Sequence, residues 1–335
     1  MSEEKVLSKN ALIAIGVISS IAIIIGITLL ALGYNESFYL NYSLIQAIFK
    51  AITFLGDPIG AIIVIAIFYI VYDKKFGKNL AFGLMMSEYI NKVIKGIFQD
   101  PRPLTNINPE KEYGFSEPSY GFPSGHAQNA VVVWGYVGYE FKEKPKPLIV
   151  PILVSILIFL VAISRVIIGF HDLEDIVGGY AIGICLLILY IHIEPIISSK
   201  LSALNLPVKI LIVVAVSISL FLVGILFFPT AGIGLVDNPP LYADEGSFAL
   251  VGGATLGLGI GYLLETKYIK YNPSEINKKQ KIINLIIGIL FIFVAYYGLD
   301  FIISGNVFFR FVRFAIIAFT LVFIAPLVFS KLNRK

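Results

Sequence analysis

The sequence predicts an all-α, polytopic helical membrane protein, and three observations carry that reading. The chain of 335 residues is 57% hydrophobic and only 14% charged, whereas a soluble domain carries about 25% charged residues. The shortage of charge runs along the whole chain, with a mean hydropathy of +0.86, so a single anchor does not explain it. Ten apolar stretches approach or exceed the roughly 20 residues that cross a bilayer, and lysine is strongly biased to alternate loops between them.

The ten stretches lie near 11–33, 58–72, 80–98, 124–141, 148–164, 173–193, 208–228, 246–265, 281–303 and 308–329. The first has a long apolar core with no clear small-residue cleavage site after it, which reads as an uncleaved helix rather than a secretory signal. Segment 44–55 (LIQAIFKAITFL) is short and carries Lys50, so it reads as an interfacial or re-entrant helix. Cys185, the single cysteine, falls inside the sixth stretch and has no partner for an intrachain disulfide; it reads as a small buried packing residue. On the eighth stretch Gly253, Gly257 and Gly261 recur every four residues, a spacing that lets helix backbones touch, within the bundle rather than between copies.

Charge then sets orientation. With the amino terminus inside and ten crossings, the inner segments hold Lys5, Lys9, Lys74, Lys75, Lys78, Lys142, Lys144, Lys146, Lys200 and Lys209. They also hold Lys267, Lys270, Lys278, Lys279, Lys281, Lys331, Arg334 and Lys335, which makes eighteen of the 26 Lys and Arg. The outer loop 229–245 has none and carries Asp237, Asp244 and Glu245. Both termini are therefore expected in the cytoplasm. The net charge of +4 reflects anchoring to a membrane leaflet, and no nucleic-acid partner is expected.

Three polar clusters remain, all on the expected outer face, and none of the eighteen inner charges belongs to them. The third span ends in Lys95-Gly-Ile-Phe-Gln-Asp-Pro-Arg102-Pro103. Pro101 and Pro103 stop the helix around Arg102, leaving a lysine point charge on the helix and an arginine fork at its mouth, both suited to phosphate oxygens. The fourth span opens with Pro123-Ser124-Gly125-His126. Ser124 can cap it, the helix start favours an anion, and Gly125 lets an oxygen approach the backbone. His126 can protonate a leaving oxygen near neutral pH.

The third cluster runs from Ser164-Arg165 to His171 and Asp175. His171 and Asp175 are four apart, on one helical face. The carboxylate can take one imidazole N–H, fix the tautomer and leave the other nitrogen to attack. Asp172 and Glu174 read instead as acids favoured in a first helical turn.

Taken in order, Lys95–Pro103, Pro123–His126 and Ser164–Asp175 resemble the three signature motifs of the type-2 phosphatidic acid phosphatase superfamily, with no departure from the pattern. The resemblance implies a six-helix phosphatase core; the order of spans and motifs divides the chain into that core at 1–200 and a four-span annex of unknown role at 201–335. It implies that His171 forms a phosphohistidine, that Asp175 orients it and that His126 protonates the leaving group. It also implies that Lys95, Arg102, Ser124, Gly125 and Arg165 bind phosphoryl oxygens, with no metal and no cofactor. The expected substrate is a phosphate or diphosphate ester of a membrane lipid, met at the extracytoplasmic face. A soluble sugar-phosphate phosphatase of the glucose-6-phosphatase type and a phosphotransferase are alternatives within the superfamily. A transporter retaining a phosphate site is the remote one, since transport needs no nucleophile with an orienting acid. Nothing in the sequence fixes an oligomeric state.

In the last four spans, Asp300 is expected to pair with Arg310 or Arg313, within an aromatic belt around Phe308, Phe309, Phe311 and Phe314; the alternative is that one arginine leaves the pair to hold the anionic headgroup of an approaching lipid.

Overall fold

The computed structural model describes residues 9–33, 38–103, 119–142, 149–227, 243–302 and 306–332, and every regular element among them is helical. In chain order these are α1 (Lys9–Ala31), α2 (Ser43–Thr53), α3 (Pro58–Ile67) and α4 (Lys74–Phe98). There follow α5 (Gly125–Glu140), α6 (Ile149–Ile167), α7 (Leu173–Ser202) and α8 (Leu206–Phe227). The last are α9 (Ala243–Leu264), α10 (Lys278–Ile302), α11 (Val307–Phe319) and α12 (Ala325–Leu332). Each of the ten expected spans falls on helix, and the segment read as an interfacial helix is α2 with a 3-10 turn at Phe54–Gly56.

Among the described residues six segments are long and apolar enough to cross a membrane on their own: Ile149–Ile167, Leu173–Ser202, Leu206–Phe227, Ser247–Ile269, Lys278–Leu299 and Val307–Leu332. The helix α4 is as long, with 25 residues, but carries Lys74, Lys75, Lys78, Glu88, Lys92 and Lys95. The chain is a polytopic helical membrane protein.

Local chemistry sets the helix ends. Ser124 caps α5, its hydroxyl oxygen accepting from Ala127 N at 3.4 Å. Asn205 accepts from Val208 N at 3.1 Å, with Pro207 in the first turn of α8, where a missing N–H costs nothing. Gly169, at φ +86°, follows the end of α6; only glycine adopts that left-handed conformation without strain.

Two compact units are present. The first comprises residues 1–57 and 97–195, and the second residues 58–96 and 196–335. Their limits differ from a cut near residue 200, because α3 and most of α4 belong with the C-terminal helices. One limit falls at Pro195, inside α7.

In the first unit Ala127, Ala162, Val166 and Ile176 form a buried cluster, with Ile163, Leu173 and Tyr180 packed against it. This joins α5, α6 and α7, the three helices that carry two of the polar clusters. A Cβ at Gly179 would collide with the Ser124 carbonyl oxygen, so the start of α5 and the first turns of α7 touch through backbone.

In the second unit α9 lies directly on α11. A Cβ at Gly253 or Gly257 would run into the carbonyl oxygens of Phe311 and Ala315, which is the within-bundle contact that the glycine spacing predicted. Buried Glu265 accepts from Lys74 Nζ at 2.8 Å and from Tyr271 N at 2.6 Å. Tyr271 in turn donates to the Ile70 carbonyl at 2.7 Å and accepts from Asn284 Nδ2 at 3.3 Å.

Two expectations about single side chains need comment. Cys185 is exposed on the protein surface rather than buried: it occupies the outer face of α7, where a thiol as apolar as its neighbours can face lipid. The guanidinium groups of Arg310 and Arg313 lie 5.8 and 5.4 Å from the Phe314 ring centre, a cation–π geometry. The Asp300 side chain lies outside the described residues.

Candidate active site

The turn between α6 and α7 places the imidazole. The Arg165 carbonyl accepts from both Phe170 N, at 3.0 Å, and His171 N, at 3.2 Å, closing the chain back on the end of α6. Asp172 then caps α7, its Oδ1 accepting from Asp175 N at 3.1 Å. That cap fixes the first turn, and a helical turn returns Asp175 beneath His171.

His171 is buried between two partners. Its Nδ1 lies 2.6 Å from Asp175 Oδ2, and its Nε2 lies 3.1 Å from Arg102 Nη1. A guanidinium has donors only, so Nε2 is the acceptor and carries a lone pair. Nδ1 then holds the proton and donates it to the carboxylate. The two neighbours together select one tautomer, with the unprotonated nitrogen facing the arginine.

Arg102 is itself held firmly. Its Nε donates to the Ser119 carbonyl at 2.8 Å, its Nη2 to Ser119 Oγ at 3.1 Å, and its Nη1 also to the Phe170 carbonyl at 2.8 Å. Asp100, two residues earlier, ties down the strand of chain that leads to α5. Its carbonyl accepts from Gly121 N at 2.8 Å and its Oδ2 from Phe122 N at 3.1 Å. Ser124 N donates to the Asp175 carbonyl at 3.0 Å, so the Ser124–Gly125–His126 corner is hydrogen-bonded to the turn that carries the orienting acid.

Arg165 is buried, with its Nη1 donating to Thr53 Oγ1 at 3.3 Å and its guanidinium 4.8 Å from the Phe170 ring centre. His126 is partly exposed and its Nε2 lies 4.0 Å from Asp57 Oδ2. Lys95, buried in the last turn of α4, belongs to the second unit, so its part in the site stays an expectation. The first unit thus joins Arg102, His171 and Asp175 directly, and ties Ser124 to them by backbone.

Burial pushes the Asp172 carboxyl up to about 6; the Asp175 N–H opposes this and the Asp100 charge adds to it. The capping bond agrees with the plain reading of Asp172 as a helix-start acid. Glu174 differs, because it is fully buried and neither carboxyl oxygen has a hydrogen-bond partner among the described residues.

Four residues at this site were not picked out from sequence: Thr53, Asp57, Asp100 and Ser119. The available signal was the lone acid Asp57 at the break between an apolar segment and a span.

Residues 76–197 match the model of the PAP2 superfamily, and residues 249–335 match the PAP2 superfamily phosphatase transmembrane extension. The chain thus carries a PAP2 superfamily domain followed by a PAP2 transmembrane extension. It is 32% identical over 116 residues to phosphatidylglycerophosphatase B of Bacillus subtilis (strain 168), covering 33% of this chain and 53% of that protein. It is 31% identical over 143 residues to dolichyldiphosphatase of Saccharomyces cerevisiae, covering 40% of this chain and 58% of that protein. A third relative, undecaprenyl-diphosphatase of Sulfolobus acidocaldarius, is 25% identical over 173 residues, 49% of this chain and 80% of that protein. The chain thus spans little more than half the length of the first two. A solved structure, the first transmembrane PAP2 type phosphatidylglycerolphosphate phosphatase from Bacillus subtilis, aligns with TM-score 0.38 at 23% identity. That alignment covers 56% of this chain and 88% of the other, too loose a superposition to bear on the chemistry.

Proposed function

We propose that this protein hydrolyses a phosphate or diphosphate ester of a membrane lipid, without metal, through a phosphohistidine at His171. The observation that carries the reading is the imidazole set between Asp175 Oδ2 and Arg102 Nη1, with its Nε2 lone pair presented to a cationic group. Such an arrangement is a nucleophile with its orienter, next to a donor that phosphate oxygens would take over.

The Nε2 lone pair attacks phosphorus. The P–O bond to the leaving group breaks, its electron pair stays on oxygen, and His126 supplies the proton. Water then attacks phosphorus, His126 takes back a proton, and the P–N electron pair returns to Nε2 as inorganic phosphate departs. Arg102, Arg165, Lys95 and the Ser124–Gly125 helix start are assigned to the phosphoryl oxygens, Asp175 to the imidazole.

A lipid is favoured over a sugar phosphate because the relatives are named for lipid phosphates and diphosphates. An apolar pocket in the first unit, lined by Ala22, Phe159, Ile163, Ile176 and Tyr180, suits an aliphatic chain. The lysine bias supports an extracytoplasmic site with both termini inside. Residues 1–200 act in this reading as the phosphatase core, with 201–335 as a membrane annex.

Phosphate release by detergent-purified protein from a panel of lipid monophosphates, lipid diphosphates and sugar phosphates tests the proposal. Release from a lipid ester, abolished by His171→Ala and indifferent to chelators, is expected. Activity lost in chelator and restored by one divalent metal would rule the mechanism out.

A further inference from the structure

The segment Ser43–Asp57 lies outside all three motifs and outside residues 76–197, yet it is fastened to the helices that carry the site. Gln46 Nε2 donates to the Ile167 carbonyl at 3.0 Å, and the Leu55 carbonyl accepts from Trp134 Nε1 at 3.1 Å. Thr53 Oγ1 accepts from Arg165 at 3.3 Å. A Cβ at Gly56 would collide with Val161 and touch the His126 backbone, so glycine lets the corner close against α5. At that corner Asp57 Oδ2 stands 4.0 Å from His126 Nε2.

This distance is that of an ion pair rather than of a hydrogen bond, and it contrasts with the 2.6 Å between His171 and Asp175. A short bond selects a tautomer. A carboxylate at about 4 Å acts through its charge and favours the imidazolium. On the helices packed against α5, Arg165 is bonded to Thr53, Asp175 to His171, and Glu174 is buried in the first turn of α7.

We infer that Asp57 is a positioning residue for the hydrolysis, keeping His126 in the cationic form that protonates the leaving oxygen. The inference rests on the phosphatase reading above. In the first step the His126 proton passes to the departing oxygen while the P–O pair remains there. In the second the ring takes a proton from attacking water, and the carboxylate stabilises the cation that forms. Asp57 should therefore matter wherever proton transfer by His126 matters. A leaving group stable without a proton bypasses it in the first step.

The test is single-turnover formation of the phosphoenzyme by the full-length protein in detergent. Phosphatidic acid, an alkyl ester, is compared with 4-nitrophenyl phosphate, an activated aryl ester. General acids contribute about 10²–10⁴-fold, and removing the partner of one should take part of that. Asp57→Asn is expected to slow the alkyl ester roughly tenfold and leave the aryl ester unchanged. Asp57→Glu should recover part of the loss, and neither variant should unfold at a lower temperature. Equal slowing on both esters, or none on either, would overturn the assignment of Asp57. Failure of the wild-type protein to release phosphate from any ester of the lipid and sugar panel above would instead overturn the phosphatase reading, and the assignment with it.

Discussion

Arg102 Nη1 lies 3.1 Å from His171 Nε2, so a guanidinium donor rests on the unprotonated nitrogen of the imidazole. In the proposed mechanism an arriving phosphoryl group takes over that donor, which would couple phosphate binding to release of the lone pair. Arg102→Gln removes both the grip and the resting contact. Loss of one charge-aimed donor of this kind typically costs about 10²–10³ in turnover, and a fall in kcat/KM of that order is expected on any accepted ester. Arg102→Lys should recover only part, because an ammonium cannot reproduce the planar fork. Vanadate, as a mimic of five-coordinate phosphorus, should lose affinity in parallel. A glutamine variant that keeps wild-type kcat/KM would remove Arg102 from the site.

Asp172 gives a pH-dependent stability of defined sign. Its folded carboxyl titrates at about 6, above the ordinary value of 3.8, so the folded state binds more protons than the unfolded chain between those values. Stability contributed by this group is therefore full below pH 4 and is lost as pH rises through about 6. The loss is at most about 3 kcal/mol, and solvent screening reduces it to about 1–2 kcal/mol. Asp172→Asn keeps an oxygen to accept the Asp175 N–H but cannot ionise. Its melting temperature in detergent should exceed that of the wild type by a few degrees at pH 7, and the difference should shrink towards pH 4. A difference that is constant with pH would show that the ionisation of Asp172 is not what changes.

How much of this was legible in the sequence depends on whether partners are near in the chain. His171 and Asp175 are one turn apart, so spacing alone was enough to pair them. The same holds for Ser124 as a cap and for Gly253 and Gly257 as a close helix contact, because helical period dictates both. Thr53 reaches Arg165 across 112 residues, and Asp57 meets His126 from the break before α3. Nothing local in a segment read as interfacial specifies the Thr53 contact, and Asp57 showed only as a lone acid between two apolar segments. Cys185 was misplaced for a related reason: the sixth span is apolar nearly all round, so its periodicity does not separate a buried face from a lipid-facing one.

Sidedness rests on lysine distribution and is testable apart from the chemistry. In a Cys185→Ser background, single cysteines introduced at 237 and at 144 report on opposite sides. An impermeant maleimide added to intact cells should label the first and not the second. The reverse pattern would invert the membrane orientation and put the site on the cytoplasmic face.

The second unit offers a test of whether its polar network holds the annex together. Lys74 Nζ pairs with Glu265 Oε2 at 2.8 Å, and Glu265 Oε1 accepts from Tyr271 N at 2.6 Å, with the carboxylate fully buried. Lys74→Met strands that carboxylate, and breaking a buried pair on one side costs roughly 3–5 kcal/mol. Glu265→Gln is milder, because the amide oxygen still accepts from Tyr271 N and Lys74 is partly exposed. The double variant has no buried charge left and keeps the Tyr271 bond, so it should be more stable than Lys74→Met alone. This order of melting temperatures, with the double variant above the lysine variant, is the signature of a coupled pair. Phosphate release per folded molecule should stay near the wild-type value in the double variant if the annex serves stability alone. Strictly additive losses would show that the two side chains are not coupled. A double variant that is stable but slow would give the annex a part in turnover.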